Sequence, residues 1–321
     1  MGRTAIEWCD HSINPVRARY APTHGDGHYC EKVSPGCTHC YSSRMQPRFG
    51  MPAFETQRRL NVKPYLHEPA LQEVLTRRKP TRYFWCDMSD LFGAWVPDDW
   101  IDRCFGVMAL TPWHTHLVLT KRAERMRAYV ASRATSGRLP IEIAREVHKQ
   151  SAALVACETY LTAPGRAGFI QWPLPNVWLG VSGENQRSVD ERLIALCEIP
   201  AAVRFISLEP LLEEVYLRGC WKPHGLDWVI VGGESGPKAR PFDLAWARSI
   251  VQQCQATGVP VFVKQIGARP FTADLTHCRG SAALVTDRSG YVLSLRDKKG
   301  GDPSEWPPDL RVREYPQTER A

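Results

Sequence analysis

The sequence predicts an α/β fold, a partial or complete (β/α) barrel of six to seven parallel strands with a small β-rich C-terminal appendage. Three observations lead there. Short runs rich in β-branched and aromatic residues recur along the chain, most of them followed by a polar cluster and then a helical stretch. Those runs are almost continuously apolar, as strands are when helices cover both faces of a parallel sheet. The 321 residues, 43% of them apolar, suffice for one large domain with a substantial core and a tail.

Residues 5–9 and 12–15 read as a short first strand ending at the Asn14-Pro15 turn, because a residue before proline is pushed out of the helical region. Residues 16–29 are polar, Gly- and His-bearing and without period, so they read as an exposed loop. The cysteine loop follows. Residues 42–59 carry several arginines, and 68–78, with Leu71, Val74 and Leu75 at three- and four-residue spacing, reads as helix. Strands are then expected at 82–87, 116–120, 176–182, 203–208, 227–231 and 259–264, and helices at 98–110, 123–133, 187–197 and 244–257. Pro97 and Asp98 suit the first helix start and Gly258 the last helix end. Residues 136–175 read as an insertion containing an Ala-rich helix. Beyond 267, alternating runs at 283–286 and 290–295 read as a hairpin, and the stretch around Trp306 as extended tail with no helix of three turns. The domain plan is thus a barrel over 1–267, with the cysteine loop 30–40 and the insertion, and an appendage over 268–321. Trp8, Trp85, Trp178 and Trp228 lie in or beside apolar strands and read as packing.

Active sites in such barrels are built just past the C-terminal ends of the strands. Asp87-Met88-Ser89-Asp90 follow the second strand, Thr120-Lys121-Arg122 the third and Ser182-Gly183-Glu184-Asn185 the fourth. Ser207-Leu208-Glu209-Pro210 follow the fifth, Gly232-Gly233-Glu234-Ser235 the sixth and Lys264-Gln265 the last. Helix capping accounts for Ser182, Asp90 or Ser235 taken singly. It does not account for Glu184, Glu209 and Glu234 directed at one opening.

The same mouth is expected to hold Cys30, Cys37 and Cys40, followed by Tyr41. Six residues separate the first pair and two the second, and the CxxC bite suits a soft metal or an iron–sulfur cluster. A structural zinc takes four protein ligands, whereas three thiolates leave one position for an exogenous molecule. The alternative is a zinc knuckle completed by His39, His28 or His11. Eleven scattered cysteines, no N-terminal apolar leader and no apolar run near the ~20 residues of a membrane span argue against a disulfide framework and against membrane insertion. A reducing cytoplasm is the expected location, that of the host for a phage-encoded chain. The net charge of +7 permits an anionic partner, and Arg44, Arg48, Arg58 and Arg59 are either a phosphate track or a solvated face.

These motifs together resemble a known family. The Asn14-Pro15 turn, the cysteine triplet ending in Cys40-Tyr41, and the segments 88–92, 119–122, 176–182, 207–212 and 227–236 are similar to the phage- and mobile-element-associated three-Cys-motif family, classed with radical SAM proteins. The Asn-Pro turn followed by cysteines is also similar to spore photoproduct lyase and its relatives, which act on DNA. The resemblance implies a TIM-like partial barrel with a four-iron four-sulfur (4Fe-4S) cluster on Cys30, Cys37 and Cys40, and S-adenosylmethionine on the open iron. It further implies cosubstrate contacts from Tyr41, Ser89, Asp90, Ser182, Glu184, Asn185, Glu209, Gly232, Gly233, Glu234 and Ser235, with Glu234 receiving the methionine ammonium. Lys121, Lys264 and Gln265 are the substrate candidates. The implied substrate is a nucleotide or nucleic acid, with an electron donor and a partner protein as further partners. The competing reading is a zinc-stabilised nucleic-acid-binding scaffold without catalysis.

Overall fold

The computed structural model describes residues 4–135, 172–219, 221, 225–273, 283–287 and 290–317. The insertion expected at 136–175 lies outside the described residues except for its last four. The chain divides into two compact units, the first made of Met1–Val33, Cys40–Gly180 and Glu198–Ala202, the second of Ser34–His39, Val181–Cys197 and Val203–Ala321.

The first unit contains β1 (His11–Ile13), β2 (Val16–Tyr20), β3 (Gly25–Gly27), α1 (Tyr41–Met45), β4 (Val62–Leu66), α2 (Glu68–Thr76), β5 (Arg82–Trp85), α3 (Asp98–Ala109), β6 (Thr115–Thr120), α4 (Ala123–Thr135) and most of β7 (Val177–Ser182). Strands β1, β5 and β6 pair in parallel, with Ile13 opposite Trp85 and Trp85 opposite Val118. Leu71, Val74 and Leu75 of α2 are buried, as their spacing requires. Residues 5–9 are not strand. Cys9 N–H donates back to Ile6 O, making a turn that lays Trp8 on Phe84 with ring centroids 4.6 Å apart, so their apolarity serves side-chain packing rather than a ladder.

Residues 16–29 are not a loop either. They form β2 and β3, which with β4 make a three-stranded antiparallel sheet in the order β3-β2-β4. Val16 and Ala18 are buried between Arg17 and Arg19, the two-residue alternation of a half-buried strand. The third strand, Gly-Asp-Gly, has no strand-forming side chain. It is set by tertiary approach, since a Cβ on Gly25 would run into the backbone of Gly50.

The second unit contains the end of β7, α5 (Gln186–Cys197), β8 (Val203–Leu208), β9 (Trp228–Gly232), β10 (Phe242–Asp243), α6 (Leu244–Thr257), β11 (Val261–Gln265), β12 (Pro270–Thr272), β13 (Ala283–Asp287) and β14 (Gly290–Ser294). Strands β8, β9 and β11 are parallel, and every residue of β8 and β9 but Arg204 is buried. Asp243 caps α6 by accepting from Ala245 N–H, and Gly258 ends it in the left-handed region. The expected hairpin is present as β13 and β14, but it belongs to a four-stranded sheet of order β10-β12-β14-β13 that also recruits β10 from before α6. The tail returns along β11: Val263 N–H donates to Val312 O at 2.8 Å and Glu314 N–H to Val261 O at 2.9 Å.

The parallel strands form one seven-stranded sheet, ordered β1-β5-β6-β7-β8-β9-β11, with β1 and β11 as its two edges. This is the partial form of the expected barrel. Trp8, Trp85, Trp178 and Trp228 are all buried, as packing residues should be.

Candidate functional site

Cys30, Cys37 and Cys40 lie outside any disulfide and are of intermediate exposure, as is Cys197, whereas Cys9, Cys86, Cys104 and Cys254 are buried. A 3-10 turn over Pro35–Cys37 carries the middle thiol, with Cys37 N–H donating to Ser34 O at 2.9 Å, and Cys40 sits at the N-cap of α1. The donor set suits a soft metal or an iron–sulfur cluster: three accessible, unoxidised thiols on one short loop. As placed, the side chains do not close on a metal, since among the described residues no three His, Cys, Asp or Glu side chains form a group that could hold an ion.

In the first unit, Asp90 anchors the start of this loop. Its buried carboxylate accepts from Thr120 Oγ1 at 2.7 Å, Phe92 N–H at 2.9 Å, Lys121 N–H at 3.2 Å and Arg122 Nη1 at 2.8 Å. Arg122 Nη2 then donates to Glu31 O at 3.1 Å, next to Cys30. Burial would lower the Arg122 pKa, but the Asp90 and Cys30 partners raise it. Ser89 Oγ donates to Tyr29 O at 2.7 Å, holding the residue before Cys30. Asp87 is gripped by Asn14 Nδ2 at 2.5 Å, and the Tyr41 hydroxyl lies 2.7 Å from its carbonyl oxygen and 3.1 Å from Oδ2. Burial nevertheless holds the Asp87 pKa above the usual carboxylate value.

In the second unit two more strand-end carboxylates hold the middle of the loop. Glu184, fully buried, accepts from Gly36 N–H at 3.2 Å and pairs with Arg192 at 2.9 Å, which also donates to Ser182 O at 2.7 Å. Glu234 accepts from Arg240 Nη2 at 2.9 Å, Nε at 3.1 Å and backbone N–H at 2.8 Å, and His39 Nδ1 lies 3.1 Å away. Burial pushes the Glu234 carboxyl up, but the Arg240 and His39 hydrogen bonds bring it below its ordinary value. Arg240 Nη1 donates onward to Pro35 O at 3.1 Å. The Gly-Gly before Glu234 is a packing device: a Cβ on Gly233 would stand 2.9 Å from Gly267 Cα and Phe242 Cγ, and one on Gly232 3.3 Å from Gln265.

The other expected residues fall into place around these. Asn185 caps α5, accepting from Ser188 N–H at 2.9 Å. Glu209 pairs with Lys264 at 2.5 Å and accepts from Gln265 Nε2 at 3.1 Å, and Gln265 also donates to Gly233 O at 2.9 Å. The carboxylates singled out at the strand ends are therefore engaged by this chain's own cations, and His39 is engaged by Glu234. Arg192 and Arg240 were not visible as site residues in the sequence. The signal was indirect, in that each buried carboxylate demands a cation and Arg192 and Arg240 are the arginines eight and six residues downstream. Arg44, Arg48, Arg58 and Arg59 are exposed.

A family model described as protein of unknown function (DUF5131) matches residues 3–296. A comparison with curated proteins finds no match. Among solved structures the chain is similar to a cysteine-to-serine mutant of spore photoproduct lyase, at 12% identity and a TM-score of 0.37, covering 93% of this chain and 72% of that one. It is similar also to that lyase complexed with dinucleoside spore photoproduct, at 13% identity and 0.33, covering 81% and 66%. A double mutant with bound AdoMet and the dinucleoside matches at 14% identity and 0.35, covering 89% and 68%.

Proposed function

The chain belongs to the DUF5131 family of proteins of unknown function, and we propose that it is a radical SAM-type enzyme with a four-iron four-sulfur cluster on Cys30, Cys37 and Cys40. In this reading S-adenosylmethionine is the cosubstrate and a nucleotide or nucleic acid the substrate. The observation that carries it is the set of three partly exposed cysteines, none in a disulfide, on a loop whose backbone is tied down at Glu31, Pro35 and Gly36 by strand-end ion pairs.

When bound, the cluster and its cosubstrate supply one-electron cleavage and hydrogen abstraction, chemistry that is theirs rather than the protein's. The chain's own part is positioning. Arg122, backed by Asp90, holds the carbonyl beside Cys30; Glu184, backed by Arg192, holds the amide before Cys37; Arg240, backed by Glu234, holds Pro35. Asp90, Glu184 and Glu234 thus act through the loop rather than by touching the cosubstrate. Tyr41, Ser182 and Ser235 are assigned to the cosubstrate, and Lys121 to an anionic substrate. Reduction draws on an external electron donor.

Anaerobic reconstitution with iron and sulfide tests this. The expected result is brown protein with about four irons per chain, and 5'-deoxyadenosine on addition of reductant and S-adenosylmethionine. Replacing any one of the three cysteines by Ala should lose iron and product together. A colourless protein that retains stoichiometric zinc and yields no 5'-deoxyadenosine sinks the reading.

A further inference from the structure

In the first unit, much of the chain's charge is concentrated on one small sheet. Residues 16–27 and 58–67 carry five arginines or lysines and one carboxylate, a net +4 against the +7 of all 321 residues. They form the β3-β2-β4 sheet and the 3-10 turn Arg59–Asn61 that leads into β4. The register sets Arg19 directly opposite Lys63 and Arg17 opposite Tyr65, so these four side chains share the solvent face, with Val16, Ala18 and Val62 buried on the other. The one carboxylate, Asp26, is already engaged: it pairs with Arg17 at 3.3 Å and accepts from the Tyr65 hydroxyl at 2.8 Å. Arg19 lies over the Tyr65 ring, 4.8 Å from its centroid, rather than on Asp26, which stands opposite it on β3. Arg58 and Arg59, both exposed, add two cations at the same end of the sheet, where Ala21 N–H donates to Asn61 O. Like charges directly opposite on two strands destabilise a sheet, so Arg19 and Lys63 cost the fold stability unless an anion from outside lies across them.

We propose that this face docks the phosphate backbone of a polynucleotide. Arg17 and Arg19 are two residues apart on β2, about 7 Å, and Lys63 stands across the ladder from Arg19 at about 5 Å. A row of cations at that spacing meets several phosphates of one strand at once, which a single phosphate cannot match. An anionic membrane would require apolar side chains to enter it, and among the described residues of this sheet and turn Leu60 alone is large, apolar and exposed. The sheet also leads directly into the cysteine loop. Cys30 is three residues beyond the end of β3, at most about 11 Å of chain, so a strand held here lies within reach of the thiols. Phosphate contacts fix position without reading bases, so the face supplies register rather than sequence choice. This deepens the substrate reading given above, choosing a polynucleotide over a mononucleotide, and rests on it for the class of polyanion.

The test is fluorescence anisotropy of a labelled single strand and a labelled duplex, titrated with the full chain between about 50 and 200 mM KCl. At least one of the two should bind, with log Kd rising linearly in log salt. Arg19→Gln combined with Lys63→Gln removes two phosphate contacts, so the slope should fall by about 1.4–1.8, and the parent's advantage should shrink roughly tenfold across that salt range. Arg58→Gln, on the turn, should lower the slope by about 0.7–0.9. Lys298→Gln combined with Lys299→Gln, an equal loss of charge at two exposed residues outside the sheet, should change neither affinity nor slope. Unlabelled strand should displace the probe, and poly-glutamate or phosphatidylserine vesicles of equal charge should not. Absence of binding at the lowest salt overturns the proposal, as does an equal effect of the two double variants or displacement by the peptide or the vesicles. The titration is read before and after anaerobic reconstitution. A chain that binds as expected but never assembles a cluster keeps this inference and loses the radical reading, and one that assembles a cluster and yields 5'-deoxyadenosine without binding nucleic acid does the reverse.

Discussion

Arg192 shows how tightly single residues are committed at the strand ends. It is 10% exposed, pairs with a carboxylate that is 0% exposed, and donates to Ser182 O as well. Arg192→Leu would leave Glu184 buried without its cation, a change that costs about 3–5 kcal/mol where a buried pair loses one partner. Urea denaturation should show that loss; a shift below about 1 kcal/mol would mean that the pair behaves as a solvated one. A second residue-scale prediction concerns His114 and His116. Burial lowers the His114 pKa to about 4 and drives that of His116 well below its ordinary 6.5. Trp85 Nε1–H donates to His116 Nδ1 at 3.1 Å, so that nitrogen must be unprotonated, and the other lies 3.0 Å from Thr111 Oγ1. Both histidines stay neutral in the fold but take up a proton once unfolded below pH 6.5. Stability is therefore full above 6.5 and falls as the pH drops toward 4, by up to about 1.4 kcal/mol per pH unit for each histidine. Melting curves between pH 7.5 and 5 check this, and His116→Gln should reduce the slope.

At the scale of elements, the junction between β9 and β11 positions the end of the second unit's strands. Gly233 N–H donates to Gln265 O at 3.0 Å and Ala268 N–H to Glu234 O at 2.9 Å, an approach that leaves no room for a side chain. Gly233→Ala meets backbone on one side and the Phe242 ring on the other, so relief requires strand movement. The expected cost is about 1–3 kcal/mol, together with displacement of Glu234 and hence of Arg240 from Pro35. Equal stability of this variant and the parent in thermal melts would show that the turn can relax. The small β3-β2-β4 sheet illustrates the opposite case, an element whose own residues hardly specify it. Arg17 and Arg19 stand outward and Val16 and Ala18 inward, but β3 is held by what lies against it.

For the whole molecule, the tail after β14 is part of the fold rather than an extended appendix. Trp306 and Leu310 are fully buried, Trp306 Nε1–H donates to Gly300 O at 3.0 Å, and Trp228 Nε1–H donates to Glu314 O at 2.8 Å. Tyr315 stacks on Trp228 with centroids 5.4 Å apart. A chain ending at residue 305 should expose the β11 edge and the face of Trp228, and is expected to aggregate or to be cut rapidly by protease. Survival of that truncation with parental protease resistance would show that the tail is dispensable. Among the described residues no helix is long and apolar enough to cross a membrane.

The order of strands and helices was legible along most of the chain for a local reason. Strands buried on both faces read as apolar runs, as in 203–208, which is β8 without a residue's error, and amphipathic helices carry their start and stop signals, as α6 does at Asp243 and Gly258. The three thiols and the polar residues at the strand ends were equally visible, because each is a matter of residue type and spacing. The alliances of those polar residues were not visible. Glu184 with Arg192, Glu234 with Arg240 and Asp90 with Arg122 are chosen by proximity after folding, since a buried charge takes whichever counter-charge the packing brings within reach. By itself, then, the sequence determined where the strands, helices and thiols lie. Only the tertiary structure decided that the strand-end carboxylates support the cysteine loop, because the energy of a charge depends on its neighbours in space and not in the chain.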